Sequence, residues 1–350
     1  MSIKPDAILE LAYTDLSGSA KAAYEAFKQE LHGGYVDYRS LYTRTAAQDK
    51  ALPDFELVDP EHPNHIGKPG DHKEQLTVNG ISREYTVHVP PQYDGTTKLP
   101  VVVMLHGHGE DGQQFADLSQ INAEADKKGF IAVYPDAVQW FGEKNQSAWN
   151  ANDGLVPPGT NVDDVQFVNS IIDTTAKQLP VDSDRVFVAG YSNGGMLAAE
   201  VANKLSDKVA AVGLVSTGMS DANETTDGSP ISVVSIHGTD DPLIPICGFP
   251  KVPKTLNRLG LPQFESYDDA TDYWVSKDGA SQPLITKDGN VTKADYQNGK
   301  NGTEVAQYTV SGGNHAWYGS EGSSGANASI NATEVLWDFF QAHPKQAYPN

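Results

Sequence analysis

The chain has 350 residues, with 46 acidic against 25 basic side chains, a formal net charge of −21 and a single cysteine. Such a charge repels both the phosphate backbone of a nucleic acid and an anionic membrane surface, so neither is expected as a partner. Cys247 alone closes no intramolecular disulfide and builds no cysteine-rich zinc site, and no apolar run approaches the ~20 residues that span a bilayer.

At the start, Met1 to Asp6 lacks a basic region followed by an apolar core, so no secretory signal is expected there. Ser19 reads as a helix cap, and Ala20, Ala23, Tyr24, Phe27 and Leu31 recur at helical spacing until Gly33 and Gly34 stop the run. This predicts an amphipathic helix with one face to bury. Residues 50–73 are rich in Pro, His and acidic side chains without periodicity, the composition of a linker or surface wrap. His62, His65 and His72 lie there without cysteines or an ordered scaffold, so no metal site is expected. Residues 1–73 therefore read as a helical extension and linker, and residues 74–350 as one catalytic domain, a size that a single α/β core accommodates. The N-x-S/T sequons at Asn145, Asn223, Asn290, Asn301, Asn327 and Asn331 are read as chance in an Asn-rich chain.

Leu76, Val78 and Ile81, then Tyr85, Val87 and Val89, alternate with polar residues about Asn79-Gly80, which predicts a tight β-hairpin. Residues 101–105 form a continuous apolar strand that runs into His106-Gly107-His108-Gly109 and then a helix carrying Phe115, Leu118, Ile121 and Ala125. Residues 130–134 give the next strand. The irregular stretch 135–160, with Trp140, Phe141, Trp149 and Asn150, falls where a binding loop belongs. Asp163 and Asp164 cap a helix with Val165, Val168, Ile171, Ile172 and Leu179. Strands alternating with helices predict an α/β fold, a mostly parallel sheet with helices on both faces and ligands at the strand carboxyl ends.

Residues 186–189 are a short buried strand that runs into Gly190-Tyr191-Ser192-Asn193-Gly194, a G-x-S-x-G pattern. A serine on so sharp a strand-to-helix turn needs neighbours without side chains, which the glycines supply. Met196, Leu197, Ala198, Val201, Ala202 and Leu205 then make a helix apolar almost all round, suited to burial behind the turn. Two later strands follow. Residues 231–236 end in His237-Gly238-Thr239-Asp240-Asp241, and residues 306–310 end in Ser311-Gly312-Gly313-Asn314-His315-Ala316-Trp317. Of the two histidines beyond Asp241, His343 sits in a polar, proline-flanked tail, which selects His315. Residues 245–264, rich in Pro, Gly and Leu, read as a cleft rim, and 268–280 and 331–342 as helices.

A serine hydroxyl is a poor nucleophile unless a base lies within hydrogen-bond reach and a third group fixes the tautomer of that base. Ser192, His315 and either Asp240 or Asp241 fill those roles, without metal or cofactor. The developing oxyanion needs two donors, for which the amides of His108 and Asn193 are the candidates, while His106 reads as a brace for its loop. The same constellation cleaves esters or amides, and a fold alone proves no activity. Esterase, peptidase and silent binding protein remain open at this point.

The runs Val162-Asp-Asp-Val-Gln-Phe-Val168, Asp184-Arg-Val-Phe-Val-Ala-Gly-Tyr-Ser-Asn-Gly-Gly-Met196, His237-Gly-Thr-Asp-Asp-Pro-Leu-Ile-Pro245 and Gly312-Gly-Asn-His-Ala-Trp317 resemble the polyhydroxybutyrate depolymerase and feruloyl esterase group, often classed as carbohydrate esterase family one. The resemblance runs from about Glu74 to the C-terminus. It implies an α/β-hydrolase fold and a serine carboxylesterase working through an acyl-enzyme on feruloyl, acetyl or hydroxyalkanoate esters, as small molecules or polymers. It selects Asp241, four residues before Pro245, over Asp240. It implies that Trp149, in Ala-Trp-Asn, lines the substrate cleft; Tyr191 and Trp317, beside the serine and the histidine, join it as substrate-binding candidates. Secreted-type members make secretion the favoured location over the cytoplasm. Many members carry cysteines where this chain has His108 and Ala148, so their usual disulfide is absent here. Residues before Lys73 match no pattern of the group.

Overall fold

The computed structural model describes residues 66–139, 147–151, 161–220, 228–249 and 264–345. The expected N-terminal helix, His62, His65, Trp140 and Phe141 lie outside these, as do residues 152–160 of the expected binding loop and residues 250–263 of the expected rim.

Asn79-Gly80 turns the chain as its composition requires: φ is +50° at Asn79 and +79° at Gly80, values that a two-residue hairpin turn needs and that Asn and Gly tolerate. The turn joins β1 (Gly70–Val78) to β2 (Ile81–Val89), with Val78 opposite Ile81. β1 starts four residues ahead of the boundary read from the sequence, taking in His72 and Lys73; its polar, partly exposed residues give an edge strand little apolar signal. Within β1, His72 stands opposite Val87, and its Nε2 lies 2.8 Å from Lys68 O.

After the hairpin, strand and helix alternate. β3 (Leu99–Leu105), β4 (Ile131–Pro135), β7 (Val181–Tyr191), β8 (Ala211–Val215), β9 (Ser232–Gly238) and β12 (Val305–Val310) form a parallel centre in the spatial order β4-β3-β7-β8-β9-β12. Antiparallel pairs close both sides, β1-β2 against β4 and, against β12, β11 (Val291–Tyr296) with β10 (Leu284–Asp288). A separate two-residue pair, β5 (Val138–Gln139) and β6 (Ser147–Ala148), folds over the end of β4. The β10-β11 hairpin was not predicted. Its first strand is exposed throughout, so it carries no alternation to detect.

Because strand side chains alternate between faces, each central strand feeds two cores. Val101, Val103, Leu105, Val186 and Val188 pack under α3 (Asp164–Gln178), α4 (Asn193–Lys204) and α5 (Tyr267–Asp278). Val102, Met104, Phe187 and Ala189 pack under α1 (Gly112–Ser119), α2 (Ile121–Lys128) and α6 (Ala332–Ala342). Asp163, Ser266 and Asn331 each accept a first-turn amide of the helix that follows, as good N-caps do. The single helix expected through Phe115 and Ala125 is two, because Gln120 takes φ +55° and breaks the run. The apolar stripe continues across the break, and periodicity does not register it.

No helix among the described residues is long and apolar enough to cross a membrane, and none of their His, Cys, Asp and Glu side chains cluster in threes fit for a metal. α6 depends on a ring stack, Phe340 lying parallel to Phe187 at 4.8 Å with both buried. Phe340→Ala should therefore cost about 3–5 kcal/mol, read as a lower urea midpoint with an unchanged slope.

Candidate active site

The parallel centre brings the carboxyl ends of β3, β7, β8, β9 and β12 to one edge, and His108, Ser192, Asn193, Asp241 and His315 each follow one of those ends. Ser192 stands at the turn from β7 into α4 with φ +54° and ψ −120°, a conformation costly for any side chain but glycine. Close passage holds it there. A Cβ on Gly190 would lie 2.1 Å from Gly194 O, and one on Gly194 would lie 2.2 Å from Leu105 O, so both positions require glycine. Val215 O accepts the Ser192 amide at 3.0 Å, and the Thr217 hydroxyl donates to Ser192 O at 2.7 Å.

His315 follows β12. Its Nδ1 lies 2.8 Å from Asp241 Oδ2, and its ring packs 5.2 Å from that of Tyr191, the neighbour of the serine. Asp241 follows β9 and is buried; its Oδ1 accepts the amides of Leu243 and Ile244, each at 2.9 Å. Burial pushes its carboxyl up, but the charges and hydrogen bonds of His315 and His237 outweigh that and hold it well below the usual carboxylate range. An ionised carboxylate only accepts, so Nδ1 of His315 donates to it and Nε2 is the ring nitrogen turned away from the acid. Asp240 is exposed and turns to the Thr239 hydroxyl. Neither Ser192 Oγ nor His315 Nε2 makes a hydrogen bond among the described residues, whether to the other or to a third group.

His108 lies in the loop after β3, and Asn193 opens α4, where amides point out of the helix towards the strand ends. The loop is tied down from several directions. His106 Nε2 accepts the Ala137 amide at 3.0 Å, which fixes the tautomer, so its Nδ1 donates to Gly107 O at 2.7 Å. Burial lowers this imidazole to about 4, and it braces the loop as a neutral ring, as expected. Gly109 N donates to Ser147 O at 2.8 Å, stitching together the two segments that carry His108 and Ala148.

Trp149, Tyr191 and Trp317, candidates for touching substrate, are 0 %, 1 % and 1 % exposed and form the wall behind the site. Trp149 Nε1 donates to His106 O at 2.9 Å, its amide donates to Asn193 Oδ1 at 2.7 Å, and its carbonyl accepts Asn193 Nδ2 at 3.2 Å. Trp149 thus clamps the His108 loop, through its indole, to the first residue of α4, through its backbone. Trp317 donates to Thr333 Oγ1 at 2.9 Å and stands edge-on to Phe115 at 5.0 Å, anchoring the His315 loop to α6 and α1. Buried aromatics with one polar atom read alike whether they wall a cleft or brace a loop, so sequence does not separate the two. Ser216 was missed altogether: at φ +47° after β8, its hydroxyl donates to Ala316 O at 2.8 Å beside His315.

The sequence model of the family described as Esterase PHB depolymerase matches residues 83–247. Over 259 residues the chain is 28% identical to NocK of Nocardia uniformis subsp. tsuyamanensis, a protein assigned as an esterase, with 70% of this chain and 73% of that one covered. It is 28% identical over 244 residues to feruloyl esterase B of Piromyces equi, covering 67% of this chain but 42% of that relative. The fold is similar to that of an acetyl xylan esterase from Aspergillus awamori, with a TM-score of 0.54 at 15% identity over 77% of this chain and 99% of the other. The chain is thus similar to esterases of the polyhydroxybutyrate depolymerase and feruloyl esterase-like group, and its fold is that of these α/β-hydrolases.

In this esterase the His108 loop also carries a titratable prop. Glu110 Oε2 accepts the Gly107 amide at 2.9 Å. Burial pushes the Glu110 carboxyl up to about 7; the Gly107 bond opposes the rise and the Asp111 charge adds to it. A carboxyl raised in the folded state favours folding when protonated, so its contribution is complete below its unfolded value and is lost as pH climbs through about 7. Glu110→Gln keeps an acceptor for Gly107 without that loss. The melting temperature of the variant should pull ahead of the parent esterase as pH rises from about 5 to about 8; a gap that stays constant over that range would remove Glu110 from the account.

Proposed function

We propose that this esterase is a serine carboxylesterase with Ser192 as nucleophile, His315 as base and Asp241 as the acid that orients it. The observation that carries the reading is the buried Asp241–His315 pair, 2.8 Å apart, whose ring packs against the residue preceding a strained, glycine-flanked serine. His315 Nε2 takes the proton of Ser192 Oγ as that oxygen bonds to the ester carbonyl carbon. The amides of Asn193 and His108 receive the oxyanion. Collapse breaks the bond to the alcohol oxygen, which leaves with the proton from His315. Water then attacks the acyl-enzyme, giving one proton to His315, and release of the acid returns that proton to Ser192.

Feruloyl, acetyl or hydroxyalkanoate esters are the substrates proposed, on the names of the matched family and relatives. Ser192→Ala and His315→Ala should each lower kcat by roughly 10⁴- to 10⁶-fold on para-nitrophenyl butyrate and on methyl ferulate. Asp241→Asn should cost about 10⁴-fold, while Asp240→Asn stays within about threefold of the parent. Near-normal turnover by His315→Ala, or equal losses at the two aspartates, would contradict the assignment.

A further inference from the structure

Asp241 has a second imidazole on it. His237, at the end of β9, is buried; its Nε2 lies 2.8 Å from Ile244 O and 3.3 Å from Asp241 Oδ2, the same oxygen that meets His315. A carbonyl only accepts, so Nε2 of His237 carries the ring proton and offers it to the carbonyl and the carboxylate together. Ile244 closes the circuit, because its amide donates to Asp241 Oδ1 while its carbonyl takes the His237 proton. The carboxylate is thereby fixed by one contact from the strand end and two from the following loop before His315 reaches it.

The other face of the ring makes no comparable contact. His237 Nδ1 is buried without a hydrogen-bond partner among the described residues, and His237 lines a small cavity between β9 and α5 with Ser235, Thr217, Tyr267 and Trp274. The ring is thus held through Nε2, on the side of the acid. Its ring stands 5.1 Å from that of Tyr267, whose hydroxyl donates to Ser235 Oγ at 2.9 Å, so α5 keeps the imidazole from turning away.

We propose that His237 is a positioning residue: by donating from Nε2 it fixes the rotamer of Asp241, and through it the ring of His315. The proposal rests on Asp241 being the catalytic acid. A serine–histidine–aspartate set tolerates little misplacement, so loss of this donor shows in turnover more than in binding.

Substitution by residue shape separates this role from plain packing. The amide nitrogen of Gln reaches the place of Nε2, whereas that of Asn reaches only the place of Nδ1. His237→Leu and His237→Asn should lower kcat on para-nitrophenyl butyrate by about 10- to 100-fold with KM within about twofold, and His237→Gln should recover most of the loss. In an Asp241→Asn background, His237→Leu should change kcat by less than about twofold, since the residue acts through that carboxylate. Melting curves identify variants that are merely unfolded, and Gln is the one to read if Leu is among them. Rescue by Asn rather than Gln, or the same loss with and without Asp241, would overturn the positioning role while leaving the triad standing. Full turnover by Asp241→Asn alone would instead remove the triad.

Discussion

The close passage of α4 across the ends of β7 and β3 is the constraint from which the site follows. Backbones meet where no Cβ fits, Gly190 against Gly194 and Gly194 against the carbonyl of Leu105, and the serine between the two glycines is driven to φ +54°. That strain persists because the flanking segments are buried: the last six residues of β7 lie between parallel neighbours, and α4 is buried through Asn203. The same geometry sets Asn193 at the start of α4, beside the loop that carries His108. One packing event thus places a nucleophile and one proposed oxyanion donor together.

Around that point lies a layer of polar groups in the core whose hydrogen bonds are directed at the site. Trp149 ties the His106 carbonyl to the Asn193 side chain, Ser216 ties β8 to the His315 loop, and His237 ties β9 to the acid. Each is buried, where a missing hydrogen-bond partner costs more than a formed bond gains, so these contacts define position more than they add stability. Arg83 extends the layer outward. It pairs with buried Asp164 at 2.7 Å, and Asp164 receives the Asn150 amide, so β2 and α3 hold the segment that carries Trp149.

The architecture was legible because its signals are mechanical. An Asn-Gly turn, buried apolar strands, Asp, Ser and Asn caps and a G-x-S-x-G elbow each leave residues with few alternatives, and the order serine, aspartate, histidine follows from strand ends that all point one way. The choice between Asp240 and Asp241 was not legible from spacing, since both follow the same strand; it took the family pattern, and the structure pairs Asp241 with His315. Nor was the wall legible. Trp149, Tyr191 and Trp317 are large, amphipathic and close to the reacting residues in sequence, which suits cleft and brace equally, and only burial decides between them. The helix break at Gln120 and the exposed strand β10 were hidden for the opposite reason, since neither alters an apolar period.

The central claim is that Ser192 is the atom source of an acyl-enzyme, and covalent trapping tests it most directly. The esterase would be treated with a fluorophosphonate, weighed intact and mapped by peptide. One adduct per chain, on Ser192, formed in step with loss of ester hydrolysis is the result predicted. Continued ester hydrolysis after complete labelling of Ser192, or inactivation with the adduct on another residue, would contradict it.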